Sequence, residues 1–552
     1  MKNKRLNAFR RLALGGAIAV ILAGFGAFKD PFFDIQKNVE IYLDVLKTIH
    51  VYYVEQVDYS ALIKKSIDDM LKGLDPYTVY YPEADIEDYK FMNTGEYAGV
   101  GIKVRKIEGS FVVGSIIERT KGALGILFTG DKLLKIEGQN LNNKTEEEVD
   151  KLLKGSPGTA VRLLVSQLKD GKTTEKLVYR EKIVIKNVPF YGIIDGDIGY
   201  IKHTGFMENA ALEIKSAVRE LESKGVKSLV LDLRGNPGGF LNEAVSIVNL
   251  FVEKGVKVVE TRGKLKTWNA TYLTKDEPID TQIPLVLLVN SHSASAAEIV
   301  SGALQDLDRG VVLGRRSYGK GLVQNTLSLS YNAMMKVTIS KYYIPSGRCI
   351  QALDYSHRNL DGSVGKVPDS LVSLYHTRNG RPVYDGGGVL PDILIEKTEL
   401  HNFTEALDKQ LVIFNFVNKY YYGHDSIKGY ENFQVTPQIY KEFTAFVLAS
   451  KFSYESESVK QLLEFKKTLK ADRYDKMSMK QIAELESMLN NSTAQNLELY
   501  HDEISKILKE ELCGLWGNDG GRTRASFSHD QDIQEAVALL RNKARYSKLL
   551  MP

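Results

Sequence analysis

Ser295 and Lys320, 25 residues apart, are the two side chains in this sequence whose types and setting support nucleophilic chemistry. Ser295 lies in Ser291-His292-Ser293-Ala294-Ser295-Ala296-Ala297-Glu298, and Lys320 in Tyr318-Gly319-Lys320-Gly321-Leu322-Val323-Gln324. A serine hydroxyl is a weak nucleophile until a neighbouring base takes its proton, and a lysine amine is such a base only when neutral. A free lysine titrates near ~10.4, so burial or a nearby cation must lower it well below that value. Tyr318, Leu322 and Val323 supply apolar surface for such burial, and Gly319 and Gly321 allow close packing around it. Gln324, four residues on, is placed to hydrogen-bond the amine without the charge that would hold it protonated. Ser295 precedes the small-residue run 296–306, which has helical character. An N-cap leaves the first helical amides unpaired, so the N–H of Ala296 is free to face a developing oxyanion. Glu298 stands at capping-box spacing, and a plain helix cap accounts for this run equally well.

The elements around these residues must bring them together. Ser228-Leu229-Val230-Leu231 reads as a strand, Asp232-Leu233-Arg234-Gly235-Asn236-Pro237-Gly238-Gly239 as a glycine-rich loop, and Leu241 onward as a helix. Glycines there let backbone amides face a substrate, although a simple strand-to-helix turn fits the same residues. A conventional serine/histidine triad would have to draw on His203 or His292, and no carboxylate stands at a matching place.

Taken in order, 232–239, Ser293-Ala294-Ser295-Ala296-Ala297-Glu298-Ile299, Gly302-Ala303-Leu304-Gln305-Asp306 and 318–324 resemble the C-terminal processing peptidases, also called tail-specific proteases. The likeness runs over roughly residues 35–395. It implies Ser295 as nucleophile, rather than Ser291, Ser293 or Ser301, with Lys320 as general base and Gln324 as its orienting partner. It implies oxyanion donors at Ala296 and at one glycine of the 238–239 pair, with Gly238 favoured. It also implies an α/β core of crotonase/ClpP-like type with an inserted PDZ domain.

That insertion has its own signal. Glu96 to Val104 alternates as a strand, followed by short strands at 111–116, 130–138 and 155–165 and one helix from Thr145 to Lys154. This pattern resembles a PDZ domain, which adds a peptide as an extra strand and captures its C-terminal carboxylate on loop amides. The corresponding loop here is Tyr97-Ala98-Gly99-Val100-Gly101-Ile102. The turn at 119–126 departs from the proline-containing turn usual in that family. Gly73-Leu74-Asp75-Pro76-Tyr77-Thr78, Gly199-Tyr200-Ile201-Lys202-His203 and Gly387-Gly388-Val389-Leu390-Pro391-Asp392 read as turn and packing positions.

The remaining features set the frame. Seventy-three basic against 69 acidic residues, net +4, gives no case for nucleic-acid binding. No metal site and no cofactor motif is recognisable, and Cys349 and Cys513 lie in different expected regions, where they can stand unpaired even in an oxidising compartment. Lys2, Lys4, Arg5, Arg10 and Arg11 precede an apolar run from Leu12 to Phe28, which reads as an export signal or a membrane anchor and points to the periplasmic side of a cell envelope. The expected domains are therefore a signal or anchor at 1–30, an N-terminal helical segment at 31–92, a PDZ domain at 93–182, a protease core at 183–398 and a helical C-terminal domain at 399–552. Helical periodicity is clearest at 402–421, 437–451, 455–469 and 478–509, and the polar stretch from Arg348 to Gly386 reads as a surface insertion. The function expected is an envelope serine endopeptidase acting near protein C-termini. Its partners would be unfolded or tagged C-termini, with an activating adaptor and a homo-oligomer as further expectations. A silent PDZ peptide-binding scaffold and a crotonase-type acyl-transfer enzyme are the alternatives.

Overall fold

The computed structural model of the 552-residue chain describes residues 31–83, 96–107, 109–117, 120, 123, 125–359, 361–396, 399–424, 433–472, 475–489 and 492–552. The chain divides into two compact units, 1–74 and 75–552. The described part of the first holds helices Pro31–Tyr52 and Tyr59–Lys72, the latter capped by the Asp58 carboxylate on the Ala61 N–H. The apolar run 12–28 lies outside the described residues, and among the described residues no helix is long and apolar enough to cross a membrane.

In the second unit three consecutive five- and four-residue runs, Ser228–Asp232, Leu285–Val289 and Val311–Gly314, are apolar almost throughout because both of their faces are buried. They form the middle of a six-stranded sheet in the order Phe190–Asp195, Ile198–Lys202, Ser228–Asp232, Leu285–Val289, Val311–Gly314, Ile393–Leu394. The first pair is antiparallel and the rest parallel. Parallel neighbours need crossovers, supplied here by helices Ala210–Ser223, Leu241–Asn249 and Ala296–Asp306. These cover one face through Leu229, Leu231, Leu285 and Leu287. Val230, Val286, Leu288 and Leu313 point the other way, onto Phe527, Ile533, Ala536 and Leu539. The glycine-rich loop, the serine and the lysine turn thus follow the C-terminal ends of three adjacent parallel strands, the edge at which open α/β sheets present their ligand-binding loops.

A second sheet joins Val79–Tyr81, Met334–Tyr343, Lys257–Gly263 and Ala270–Leu273, with Leu322–Ser328 also paired to Met334–Tyr343. The segment 31–92, expected to be helical, therefore contributes a strand. Asp75 turns the chain there by accepting the N–H groups of Tyr77 and Thr78, and the β-branched and aromatic Val79-Tyr80-Tyr81 then suits an edge.

Residues 96–184 carry their own core. Strands Ile102–Ile107, Ser110–Ile116, Lys132–Ile136, Ala160–Ser166 and Thr173–Tyr179 pair in that order, with helix Glu146–Leu153 capped by Thr145 in a capping box with Glu148. The single strand expected over 96–104 is two strands. Glu96–Gly99 pairs with Glu181–Val184, and the chain breaks at Gly101, whose φ of +80° and 2.5 Å approach to Thr120 exclude any larger residue.

The stretch 348–386 is not a free surface insertion. Arg348 is 0% exposed and pairs with Asp306 at 2.9 Å, while Arg381 holds both Asp308 and Asp392. Asp306 ends the helix that begins after Ser295, so this stretch is pinned to the core by buried charges that must be paired. Neither Cys349 nor Cys513 forms a disulfide among the described residues.

The C-terminal third divides in two. Residues from Phe403 to Ala525 build a helical core of their own, whereas the last helices, Gln531–Arg541 and Lys543–Leu549, complete the sheet. The helix expected over 402–421 is split at Leu411, which takes φ 59°, into Asn402–Lys409 and Val412–Gly423. The one expected over 478–509 is Asp475–Leu489, Thr493–Leu499 and the start of His501–Ser526.

Candidate active site

Ser295 is the junction between strand Leu285–Val289 and helix Ala296–Asp306. It has φ 55° and ψ −115°, far from the extended conformation of an ordinary N-cap. A non-glycine residue held there is strained by roughly 1–3 kcal/mol, and such strain persists only where the surroundings enforce it. The enforcing group is Glu298. Its fully buried carboxylate accepts the Ser295 N–H at 2.8 Å, the Lys320 N–H at 2.9 Å, the Gly319 N–H at 2.7 Å and the Ser317 hydroxyl. One carboxylate thereby fastens the backbone of the serine to the backbone of the lysine turn. Tyr342, 1% exposed, adds a second fastening: its hydroxyl lies 3.1 Å from the Ser295 carbonyl and 2.7 Å from the Lys320 carbonyl. The Tyr318 N–H donates to the Ser293 carbonyl beside them.

The other serines of the segment are occupied or misplaced. Ser293 is buried with its hydroxyl on the Leu233 carbonyl, Ser301 bonds the Ala297 carbonyl inside the helix, and Ser291 is exposed beside His292. His203 is sealed in the core with Nδ1 against the Asn187 carbonyl, and burial pushes it down to about 4. Neither histidine is bonded to Ser295.

The lysine turn crosses Gly319 and Gly321, where added Cβ atoms would meet Ala352 at 2.3 Å and Gln351 at 2.8 Å. This close packing half-buries the Lys320 side chain, and the loss of water, aided by nearby Lys336, brings its amine down to about 8. Glu298 and Asp75 pull the other way and lose. The amine sits 4.1 Å above the ring of Tyr77, whose hydroxyl is 3.3 Å from that of Tyr318. No hydrogen bond joins it to the Ser295 hydroxyl in this arrangement. Gln324 is in the neighbouring strand and donates to Thr338 Oγ1 at 3.2 Å rather than to Lys320.

The glycine loop lies directly on the serine: a Cβ on Gly238 would stand 2.8 Å from Ser295 Cβ and 2.9 Å from the Ala296 nitrogen. The Gly238 N–H, favoured from sequence as an oxyanion donor, is given to Asn236 Oδ1 at 2.9 Å. The N–H groups of Gly239 and Ala296 have no acceptor among the described residues.

Comparison with known proteins bears on this geometry. The model for peptidase family S41 matches residues 197–356, that for the PDZ domain 89–166, and that for the probable PDZ-protease C-terminal helical domain 403–540. A carboxy-terminal-processing protease of Bartonella bacilliformis is 33% identical over 340 residues, covering 61% of this chain and 75% of that protein. The chain belongs to the carboxy-terminal-processing protease family. A probable CtpA-like serine protease of Staphylococcus aureus is 32% identical over 317 residues, 57% of this chain and 63% of that protein. Among solved structures, a photosystem II D1 C-terminal processing protease is 24% identical and aligns with a TM-score of 0.37 over 64% of this chain and 86% of that one.

For a carboxy-terminal-processing protease the site needs room for a polypeptide. A cleft of about 690 Å³ opens beside the glycine loop, walled by Phe240, Leu241, Trp268, Tyr272 and Val323, with Gln324 at its edge. Ser340, buried, lines it with a hydroxyl that has no hydrogen-bond partner among the described residues. Three residues of this protease's site escaped the sequence reading in their present roles. Glu298 was visible only as a cap, while Tyr77 and Tyr342 arrive from elements remote in sequence with no local signature.

Removing the Glu298 carboxylate strands three N–H groups and a hydroxyl inside the protein. Glu298→Ala is expected to cost about 3–5 kcal/mol in urea unfolding. Burial raises Glu298 to about 6 against those donors, so the folded state binds this proton more tightly than the unfolded chain. The group's stabilising contribution is greatest below its ordinary value of 4.5 and falls as pH rises through about 6, so the variant's deficit should be larger at pH 4.5 than at pH 7.

Proposed function

We propose that this chain is a serine endopeptidase that cleaves proteins near their C-termini, with Ser295 as nucleophile and Lys320 as general base. The observation that carries the reading is the shared carboxylate: Glu298 bonds the backbone of both residues, one of them strained, at the C-terminal edge of a parallel sheet. Lys320, near 8, is neutral in a large fraction of molecules at mildly alkaline pH, which no exposed lysine is. Its side chain leaves Tyr77 by rotation to reach the Ser295 hydroxyl, an adjustment of the kind common when substrate fills an empty site.

The neutral amine takes the Ser295 proton as the oxygen attacks the scissile carbonyl. The oxyanion forms against the unpaired N–H groups of Ala296 and Gly239, the latter replacing Gly238, whose N–H is engaged by Asn236. The lysine ammonium returns the proton to the leaving amine, and water then repeats the cycle on the acyl-serine. The apolar cleft beside Phe240 and Trp268 receives a substrate side chain next to the scissile bond. Gln324, in the strand after the lysine turn and on the rim of that cleft, is assigned to orienting the substrate or the lysine.

Substrate capture falls to residues 93–182. Strand Ile102–Ile107 is an edge strand whose pairing partner is Ser110–Ile116, leaving its other side toward helix Glu146–Leu153 for an added peptide strand. Tyr97, Ala98 and Gly99 are paired with Glu181–Ile183, so the carboxylate would be taken at the turn Val100-Gly101-Ile102. The basic head and apolar run at 2–28 support an envelope location. A silent peptide-binding scaffold would leave the strained serine and the depressed lysine without purpose, and an acyl-transfer enzyme would leave the peptide groove so.

On an unfolded protein substrate, Ser295→Ala and Lys320→Ala are expected to lower kcat by at least about a thousandfold. kcat/KM of the unmutated protein should climb about tenfold per pH unit up to pH 8 and level off above it, because the base works only after losing its proton. Activity surviving in Lys320→Ala, or a profile already flat at pH 6, contradicts the assignment.

Amidating the substrate C-terminus removes the charge that the groove recognises. KM should rise by about tenfold or more while kcat stays within about twofold. Equal kinetics with the amide would remove the groove from substrate capture.

A further inference from the structure

We infer that helix Gln531–Arg541, at the end of the chain, positions the active site through Asp530 and Asp532, which hold two of the catalytic loops at their roots. The glycine loop begins at Arg234, four residues before Gly238, and the lysine turn begins at Arg315, five before Lys320. Arg234 Nη1 donates to Asp530 Oδ1 at 3.0 Å and to Asp532 Oδ2 at 2.9 Å. Arg315 Nη2 donates to the same Asp532 oxygen at 2.7 Å, with Nη1 on Oδ1 at 3.2 Å. One carboxylate, 3% exposed, thus bridges the two arginines from which the oxyanion loop and the base-bearing turn depart.

The arrangement is ordered from both sides. Asp530 is the N-cap of its helix, accepting the N–H groups of Asp532 and Ile533, so the helix fixes both carboxylates where its own terminus favours negative charge. On the sheet side Asp232 takes the rest of the Arg234 guanidinium and the Tyr200 hydroxyl, at 2.6 Å each, and Phe527 packs its ring on Tyr200 at 5.0 Å. The Gly235 N–H bonds Asn290 Oδ1, which carries the fastening on to the loop before Ser295. Removing the Asp532 carboxylate takes away the partner of Arg315 and one of the three carboxylates around Arg234, and the Arg315 guanidinium regains solvation by moving the root of the lysine turn, whereas removing Asp530 leaves Arg234 with two of its three. Displacements of about 1 Å at reacting groups change rates by about a hundredfold.

These are positioning residues: none touches a substrate. The kinetic part of the test rests on the proposed function, and the exchange part does not. Asp532→Asn keeps the shape and removes the charge, and Asp530→Asn keeps the helix cap as well, so it serves if the first variant folds poorly. In the full chain, hydrogen exchange read by mass spectrometry should quicken at least about fivefold in segments 235–241 and 316–322 and stay unchanged in 160–166. kcat should fall by about tenfold with KM within about twofold. Unchanged exchange at both loops with unchanged kcat overturns the inference, as does acceleration spread equally over 160–166. Local acceleration with an unmutated protein that cleaves nothing upholds the positioning role and defeats the proposed function instead.

Discussion

The structure depends on one buried carboxylate. Glu298 lies in the first turn of a helix, where it would ordinarily cap its own backbone, and it does so through the Ser295 N–H. Its remaining lone pairs reach across to the turn that bears Lys320. Because a buried carboxylate is costly unless its lone pairs are filled, the two loops cannot separate without stranding it. The strain at Ser295 is maintained by the same constraint, and Tyr342 closes the second side of the junction.

The sheet makes that junction possible. Three parallel strands deliver the glycine loop, the serine and the lysine turn to one edge, and both faces of those strands must be covered for the edge to be rigid. Crossover helices cover one face. The other is covered by the last helices of the chain, which also supply Asp530 and Asp532 to the loop roots. Electrostatics at the site then follow from burial: Lys320 loses water and moves toward neutrality, while the Tyr77 face beneath it still tolerates the ammonium form.

Local conformation was legible in the sequence wherever short segments dictate it. The Ser295 run, the lysine turn, the glycine loop and the helix from Thr145 are short segments whose residue types dictate their own conformation, and each is found as a turn, loop or helix in place. What escaped was set by contacts over long separations. Tyr77 lies 243 positions from Lys320, and nothing in Asp75-Pro76-Tyr77 announces that its ring will meet an amine. The choice between Gly238 and Gly239 turns on which N–H the Asn236 side chain takes, a matter of one rotamer. Arg348 and Arg381 looked like surface residues because arginine usually is one, and only their buried aspartates reveal otherwise. The final helices fall within the expected helical domain at 399–552, but that they cover the sheet rather than join the core of 403–525 is set by contacts of Ile533, Ala536 and Leu539 with strands far away in sequence.

The central claim is that Ser295 becomes covalently acylated with Lys320 as its base. The most direct measurement is a single turnover of an activated peptide ester, stopped in acid, with the adduct located by mass spectrometry of the digested protein. The account predicts an acyl group on Ser295 that is absent in Ser295→Ala and forms far more slowly in Lys320→Ala. An adduct on Ser291 or His292, or product formed at full rate with no adduct on Ser295, would contradict it.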